Sequence, residues 1–161
     1  RFHNTFGETF ILPNEYLQEE SKLITGTDGE KMSKSKNNII NIFASENELK
    51  KQIRSIETDS TELDSPKEWK TCNLFNIYKL IADENQIDRM KKKYKSGGYG
   101  YGHAKNDLFR LVIEKYSKER EKFNQYVSNP NEVEEILIRG AAKASITANK
   151  VLSRVRKKLG Y

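Results

Sequence analysis

The sequence predicts a mainly α-helical chain, a bundle of about five helices behind a short strand-and-loop segment. Three observations carry this. Apolar residues recur at helical spacing through most of residues 45–159, as in Leu74, Ile77, Tyr78 and Ile81. Capping signals stand in front of these runs, at Ser45-Glu46-Asn47-Glu48 and Asp83-Glu84-Asn85-Gln86. Finally, charged residues fill 32% of the 161 positions against 35% hydrophobic ones, which with periodic apolar spacing describes long solvated helices rather than disorder.

Arg1-Phe2-His3-Asn4 reads like the end of a helix, and the absence of an initiator methionine suggests a piece of a longer polypeptide. Phe6 to Leu12 is apolar and β-rich around Thr9, and Pro13 interrupts it. Pro13-Asn14-Glu15 opens a turn carrying Tyr16 and Leu17. Lys22-Leu23-Ile24-Thr25 is the best strand candidate, ended by Gly26. A strand running into a glycine-rich loop is where open α/β sheets place ligands, although an ordinary strand and turn would read the same way.

The next stretch is Gly26-Thr27-Asp28-Gly29-Glu30-Lys31-Met32-Ser33-Lys34-Ser35-Lys36-Asn37-Asn38. Glycine lets backbone amides approach a ligand closely, and converging amides bind anions. Lys31 and Lys34 supply point charges on flexible stems, and Ser33 and Ser35 supply hydroxyl donors. The residue types fit a polyphosphate. A solvated basic turn has the same composition.

Ile39, Ile40, Ile42 and Phe43 form an apolar patch before the Ser45 cap, whose helix should run through Leu49, Ile53 and Ile56. Thr58-Asp59-Ser60-Thr61 ends it with side chains that compete for backbone groups. Residues 61 to 70 read as a loop with Trp69 as a packing anchor, and 72 to 82 as a helix. The next helix carries Ile87, Met90 and Tyr94 on one face and the basic residues Arg89, Lys91, Lys92, Lys93 and Lys95. Gly97-Gly98-Tyr99-Gly100-Tyr101-Gly102 ends it. This run lacks the strand-to-helix setting of a phosphate loop and reads as a tight linker whose tyrosines pack between helices. A long helix is expected from His103 to Val127, burying Ala104, Leu108, Leu111, Val112, Tyr116, Phe123 and Val127. Asn129 as a cap and Pro130 at the first helical position start the last helix, which Gly160 stops. Val133, Ile136, Leu137, Ala141, Ala144, Ala148, Val151, Leu152, Val155 and Leu159 repeat along it at close to 3.5 residues. At ~1.5 Å per residue it would be ~45 Å long.

The net charge of +6 favours a polyanionic partner but carries no sequence recognition. Cys72 is the only cysteine, which excludes an internal disulfide and a cysteine-based zinc site. No apolar run approaches the ~20 residues of a membrane span, and the N-terminal residues are not expected to be a signal peptide. A reducing, cytoplasmic setting follows as the default. Neither histidine is expected to be catalytic, and no metal-binding cluster is legible.

Lys31-Met32-Ser33-Lys34-Ser35 resembles the KMSKS signature of class I aminoacyl-tRNA synthetases. Around it stand Arg1-Phe2 with Phe6-Gly7-Glu8, Pro13, Thr58-Asp59-Ser60, Asn73-Leu74-Phe75-Asn76-Ile77-Tyr78, Gly98-Tyr99-Gly100-Tyr101-Gly102 with Lys105, and Gly140-Ala141 with Lys143-Ala144. Their order and spacing resemble the C-terminal half of the bacterial-type tryptophanyl-tRNA synthetases over essentially the whole chain. The tyrosine enzymes are the nearest relatives.

The resemblance implies residues 1–40 as the last part of a Rossmann-like α/β catalytic domain with its loop. It implies 41–128 as a helical domain that binds the tRNA anticodon, and 129–161 as a long helix packing back on the catalytic domain. It further implies that ATP activates tryptophan to an adenylate and that the product is passed to tRNA. Lys31 and Lys34 are then catalytic contacts to the leaving phosphates, with Met32, Ser33 and Ser35 completing the ATP-binding loop. Gly26 and Gly29 are its hinges. Lys36 departs from the acidic or aromatic residue expected after the signature, and reads as a third phosphate contact or as a solvated lysine. Magnesium is expected on the substrate, with no protein metal site. Arg89, Lys91, Lys92, Lys93, Lys95 and Lys105 become candidate tRNA contacts, with Tyr94, Tyr99 and Tyr101 for base stacking. The same charges also suit a plain solvated face. The His-X-Gly-His-type signature, a complete Rossmann crossover, the tryptophan pocket and most of a homodimer interface are absent from this sequence, so the chain alone is not expected to make adenylate. A tyrosyl-type synthetase and a non-catalytic basic RNA-binding module are the alternatives.

Overall fold

The computed structural model describes residues 1–16 and 24–161. The architecture is mainly helical: α1 (Phe2–Phe6), α2 (Glu46–Arg54), α3 (Asn73–Ile81), α4 (Glu84–Ser96), α5 (Tyr101–Lys115), α6 (Ser117–Ser128) and α7 (Pro130–Leu159). Among the described residues there is no strand, only an isolated antiparallel bridge between Thr25 and Lys31. Of the expected strand, Lys22 and Leu23 lie outside the described residues, as does Leu17 of the expected turn. The apolar stretch after α1 is irregular rather than β, and Thr9 spends its hydroxyl on the Gly7 carbonyl at 3.0 Å.

The chain divides into two compact units, one formed by residues 1–16 with 124–161 and the other by 17–123. In the larger unit α5 packs against both α2 and α3. Its core takes Leu49 and Ile53 from α2, Leu74, Phe75, Ile77 and Tyr78 from α3, Met90 and Tyr94 from α4, and Ala104, Leu108, Leu111 and Val112 from α5. Each buried side chain of this size contributes roughly 1.5–3 kcal/mol, well above the ~0.2–1 kcal/mol of an exposed ion pair. The apolar spacing therefore decides this fold, and the many charges do not.

Tyr94 sits at the centre, fully buried, with Phe75 and Tyr99 at 5.8 Å and Tyr101 at 6.1 Å between ring centroids. Burial pushes its phenol far above the ordinary range. This corrects the expectation that Tyr94 stacks on a base, because an interior ring meets no nucleotide. The tyrosines of the glycine-rich linker do pack between helices.

Local signals set most helix ends. The Ser45 hydroxyl accepts from the Glu48 amide at 3.3 Å, and a complete capping box forms at Asp83 and Gln86. Asn129 does not cap as expected. Its side chain donates instead to the Gln125 carbonyl at 2.8 Å, while Pro130 takes the first helical position. Gly160 ends α7 in the left-handed region, with φ 85°.

The expected helix over 103–127 is a kinked pair. Tyr116, at φ −103° and ψ 18°, separates α5 from α6, while backbone bonds continue on either side of it. The kink aims the start of α6 at the segment before α2. Arg120 donates to the carbonyls of Ile42 and Ala44, and Phe123 stacks on Phe43 at 4.8 Å. Phe123 stays 40% and Val127 65% exposed, so the expected stripe is buried only as far as Val112.

In the smaller unit Phe2 packs on Phe6 and Phe10, and His3 stacks on Phe10 and accepts its amide at 2.9 Å. None of the α7 residues is buried. Ile136, Leu137, Ile146 and Leu152 are 41–73% exposed. The 3.5-residue stripe is present in the sequence, but a stripe is buried only where another layer lies on it.

The loop over 57–72 is fastened to the end of α4. The Lys67 amide donates to the Tyr94 carbonyl at 2.7 Å and the Gly98 amide to the Leu63 carbonyl at 3.0 Å. Gly97 stands at φ 72°, and a Cβ there would lie 2.2 Å from the Asp64 carbonyl oxygen, so only glycine fits. Lys67 is 4% exposed. Its ammonium donates to the carbonyls of Glu62, Leu63 and Ser65 at 2.8–3.3 Å and lies over the Tyr101 ring. Lys67→Met leaves those carbonyls unsatisfied and should cost about 1–3 kcal/mol, measured by urea unfolding of the chain.

Candidate functional site

The lysine loop is a tight hairpin. The Thr25–Lys31 bridge closes it, the Gly26 amide donates to Glu30 at 2.6 Å, the Gly29 amide to Gly26 at 3.1 Å and the Met32 amide to Ile24 at 2.9 Å. Gly29 takes φ 77° at the turn. Ser33 is extended, Lys34–Lys36 form one 3-10 turn, and Asn37 closes it in the left-handed region at φ 54°.

Asn38 holds the two arms together from inside. It is 2% exposed. Its side-chain oxygen accepts from the Ser33 amide at 2.7 Å, and its nitrogen donates to the Asp28 carboxylate at 2.8 and 3.0 Å and to the Lys31 carbonyl at 3.1 Å. Its backbone oxygen accepts from the Thr27 amide at 2.9 Å. Gly26 makes room for this amide, since a Cβ at 26 would stand 2.4 Å from the Asn38 side chain. The hydrogen bond from Asn38 holds the Asp28 carboxyl below its ordinary value, helped by the Glu30 amide and the nearby Lys36.

Within this frame the predicted residues separate. Lys31 and Lys34 are exposed, and among the described residues neither meets a carboxylate. Lys36 forms an ion pair with Glu30, which raises its pKa. Ser33 and Ser35 face each other, their hydroxyl oxygens 2.8 Å apart, and Met32 is half-buried. The hairpin therefore offers two exposed ammonium groups and two adjacent hydroxyls on a stem whose backbone is fixed. That arrangement suits charge developing on a phosphate chain.

The hairpin is bonded to the helical unit. Thr25 Oγ1 donates to Asn73 Oδ1 at 2.7 Å, Asn73 Nδ2 donates to the Gly26 carbonyl at 2.8 Å, and the Glu57 amide donates to the Thr27 carbonyl at 2.7 Å.

The basic residues of α4 do not act alike. Lys93 pairs with Asp107 at 2.9 Å and lies over the Tyr99 ring, and Tyr99 donates to the same carboxylate at 2.6 Å. Burial opposes ionisation of Asp107, but these two donors outweigh it and lower its pKa. Lys91 lies over Trp69 at 5.0 Å and meets Asp88 at 3.4 Å. Lys105 caps the end of α2 through the Arg54 carbonyl at 2.8 Å, and desolvation lowers its pKa. Arg89, Lys92 and Lys95 are exposed. Arg89 lines a cleft of ≈ 220 Å³ with Tyr78, Lys93 and Arg110. His103 is exposed and accepts from the Gly100 amide at 3.3 Å. Among the described residues no group of three His, Cys, Asp or Glu could hold a metal ion, and no helix is long and apolar enough to cross a membrane.

Sequence reasoning missed Asn38, Asp28 and Asn73. The available signal was a polar residue set directly before the apolar Ile39-Ile40 run, where an amide that goes inside must find every bond it needs.

The chain is similar to known proteins along nearly its whole length. Residues 1–117 match the model of the class I tRNA synthetases (W and Y). The chain is 44% identical over 160 residues to a tryptophan–tRNA ligase of Campylobacter jejuni, covering 99% of this chain and 50% of that protein. It is 37% identical over 159 residues to one of Rhodopirellula baltica, with the same coverage. A crystal structure of the Campylobacter jejuni tryptophanyl-tRNA synthetase complexed with ADP and tryptophan superposes with a TM-score of 0.87 over 99% of this chain and 50% of that one, at 44% identity. The chain thus spans about half the length of the curated relatives it matches.

Because the Asp28 pKa is depressed, its contribution to loop order is complete above the ordinary value of 3.8 and is lost as pH falls through the lower folded value. Hydrogen exchange of the Ser33 and Thr27 amides should therefore speed up below about pH 4 relative to the rest of the chain. Asp28→Asn should remove that acid step.

Proposed function

The chain belongs to the class I tRNA synthetases of the W and Y group, and from that membership we propose that it is the C-terminal half of a tryptophan–tRNA ligase. The whole enzyme, in this reading, activates L-tryptophan with ATP to tryptophanyl-adenylate and esterifies tRNA(Trp). It works as a cytoplasmic homodimer, and its tryptophan pocket lies outside this chain. Residues 1–40 end the Rossmann-like catalytic domain, 41–128 form the tRNA-binding helical domain, and 129–161 return to the catalytic domain. The exposed apolar stripe of α7 supports that last assignment, because it suits a surface that receives another layer.

The observation that carries the reading is the contrast within the loop. Lys36 is neutralised by Glu30, while Lys31 and Lys34 stand exposed on the same rigid hairpin. In adenylate formation the tryptophan carboxylate attacks the α-phosphorus and pyrophosphate departs carrying extra negative charge. Lys31 and Lys34 meet that charge more strongly in the transition state than in the ground state. Ser33 and Ser35 donate hydrogen bonds to phosphate oxygens, and Met32 anchors the loop by packing. Gly26 and Gly29 shape the hairpin rather than act as the expected hinges, since both amides are bonded inside it. Magnesium arrives on the substrate phosphates and shares the neutralisation. The amino-acid choice rests on the relatives, with the tyrosine enzymes as the alternative within the group.

On the helical domain we assign RNA contact first to Arg89, Lys92 and Lys95, with Lys91, Lys93 and Lys105 contributing less because each has a structural partner. Each phosphate contact adds to the salt dependence of binding.

In the complete synthetase, Lys31→Ala and Lys34→Ala should each lower ATP–pyrophosphate exchange by roughly 10²–10³-fold, read as isotope exchange at saturating tryptophan. Unchanged exchange with weakened tRNA binding would favour the non-catalytic RNA-binding module instead. Neutralising Lys92 and Lys95 together should reduce the salt slope of tRNA binding by about 1–2. Lys93→Ala should instead lower stability by about 0.5–1 kcal/mol, because the pair it breaks is half exposed and screened by solvent.

A further inference from the structure

We propose that Asn73 is the positioning residue of the lysine loop. Its side-chain amide fastens the loop's stem to the first turn of α3 and so fixes where Lys31 and Lys34 stand. This rests on the reading of the loop given above and extends it to a residue that touches none of the loop lysines.

The residue sits at the start of α3, after Cys72, and that helix start has no side-chain cap. Asparagine near a helix start commonly bonds to neighbouring backbone. Asn73 instead reaches 47 and 48 residues back along the chain. Its oxygen accepts the Thr25 hydroxyl at 2.7 Å, and its nitrogen donates to the Gly26 carbonyl at 2.8 Å. Both bonds are partly shielded from solvent. The amide also runs along the turn, since a Cβ on Gly29 would lie 3.9 Å from it. Of the three bonds described from this stem to the helical unit, Asn73 makes two.

The chemistry selects an amide. The Thr25 hydroxyl needs an acceptor, and one residue on the Gly26 carbonyl needs a donor. Aspartate at 73 offers acceptors only and would set a charged oxygen against the Gly26 carbonyl. Alanine reaches neither. The stem leads through the Thr25–Lys31 bridge straight to the first loop lysine, so a shift at residues 25 and 26 is passed to the charges that meet the leaving group. Misplacement by ~1 Å can cost ~10²-fold in rate.

The test uses Asn73→Asp and Thr25→Val in the complete synthetase, with Thr25→Ser as the conservative variant and Lys31→Ala as the reference. Each of the first two should lower kcat of pyrophosphate exchange about tenfold with the KM for tryptophan unchanged. Thr25→Ser should stay within about twofold, and the double variant should lose less than the product of the two single losses, because the two bonds hold one clamp. In the same complete protein, both should speed tryptic cleavage after Lys31, Lys34 and Lys36 about tenfold while other sites keep their rates. If Lys31→Ala abolishes exchange but Asn73→Asp leaves kcat and loop cleavage unchanged, the clamp is overturned and the loop reading stands. If Lys31→Ala leaves exchange intact, the loop reading fails and the cleavage rates decide the clamp alone. Lowered melting with unchanged cleavage makes Asn73 merely a helix-start residue.

Discussion

A primary amide removed from water must find partners for two N–H groups and a carbonyl oxygen, or its burial costs more than it returns. Asn38 meets this demand with the Asp28 carboxylate, the Lys31 carbonyl and the Ser33 amide, all drawn from the loop it closes. The hairpin's shape follows from that constraint. Residues 28, 31 and 33 come together because one interior side chain needs all of them. The exposed lysines on either side of Ser33 then inherit a fixed backbone. A loop of glycines and lysines would otherwise lose considerable conformational entropy on meeting a ligand, and much of that loss has already been taken in folding.

The helical unit supplies the second half of the same arrangement. Its core is held by apolar burial around Tyr94, and the loop is attached to that core by bonds from Asn73 and Glu57. Charges are used in several ways around this frame. Lys36 is neutralised by Glu30, Lys67 is received by carbonyls, and Lys93 shares Asp107 with Tyr99. The 29 lysines and arginines therefore overstate the cations available to a polyanion, while the net charge of +6 already subtracts the carboxylates that pair with them.

Features encoded within a few residues were legible in the sequence. The capping box at Asp83, the proline start and glycine stop of α7, and the core face of α3 depend on neighbours along the chain, and periodicity or capping chemistry reveals them. The glycine-lysine-serine loop was legible as a phosphate candidate by residue type. Features that depend on distant partners were not. The kink at Tyr116 accompanies bonds from Arg120 to carbonyls 76 and 78 residues away. Asn73 bonds to residues 47 and 48 positions back. Lys67 reads as one more surface lysine until the loop around it folds. The α7 stripe shows the opposite case, where the period was read correctly but burial depends on what lies against it.

Gly26 and Asn38 share one volume: a methyl group on the first would occupy the side chain of the second. In evolutionary terms the two positions form a single locus. Trimming residue 38 does not admit a larger residue at 26, because the Asn38 backbone oxygen would also lie 2.6 Å from that methyl, and it gives up the bonds that order the loop. No sequence of single tolerated changes leads away from the pair, so mutational drift within the hairpin is channelled to the exposed positions around it.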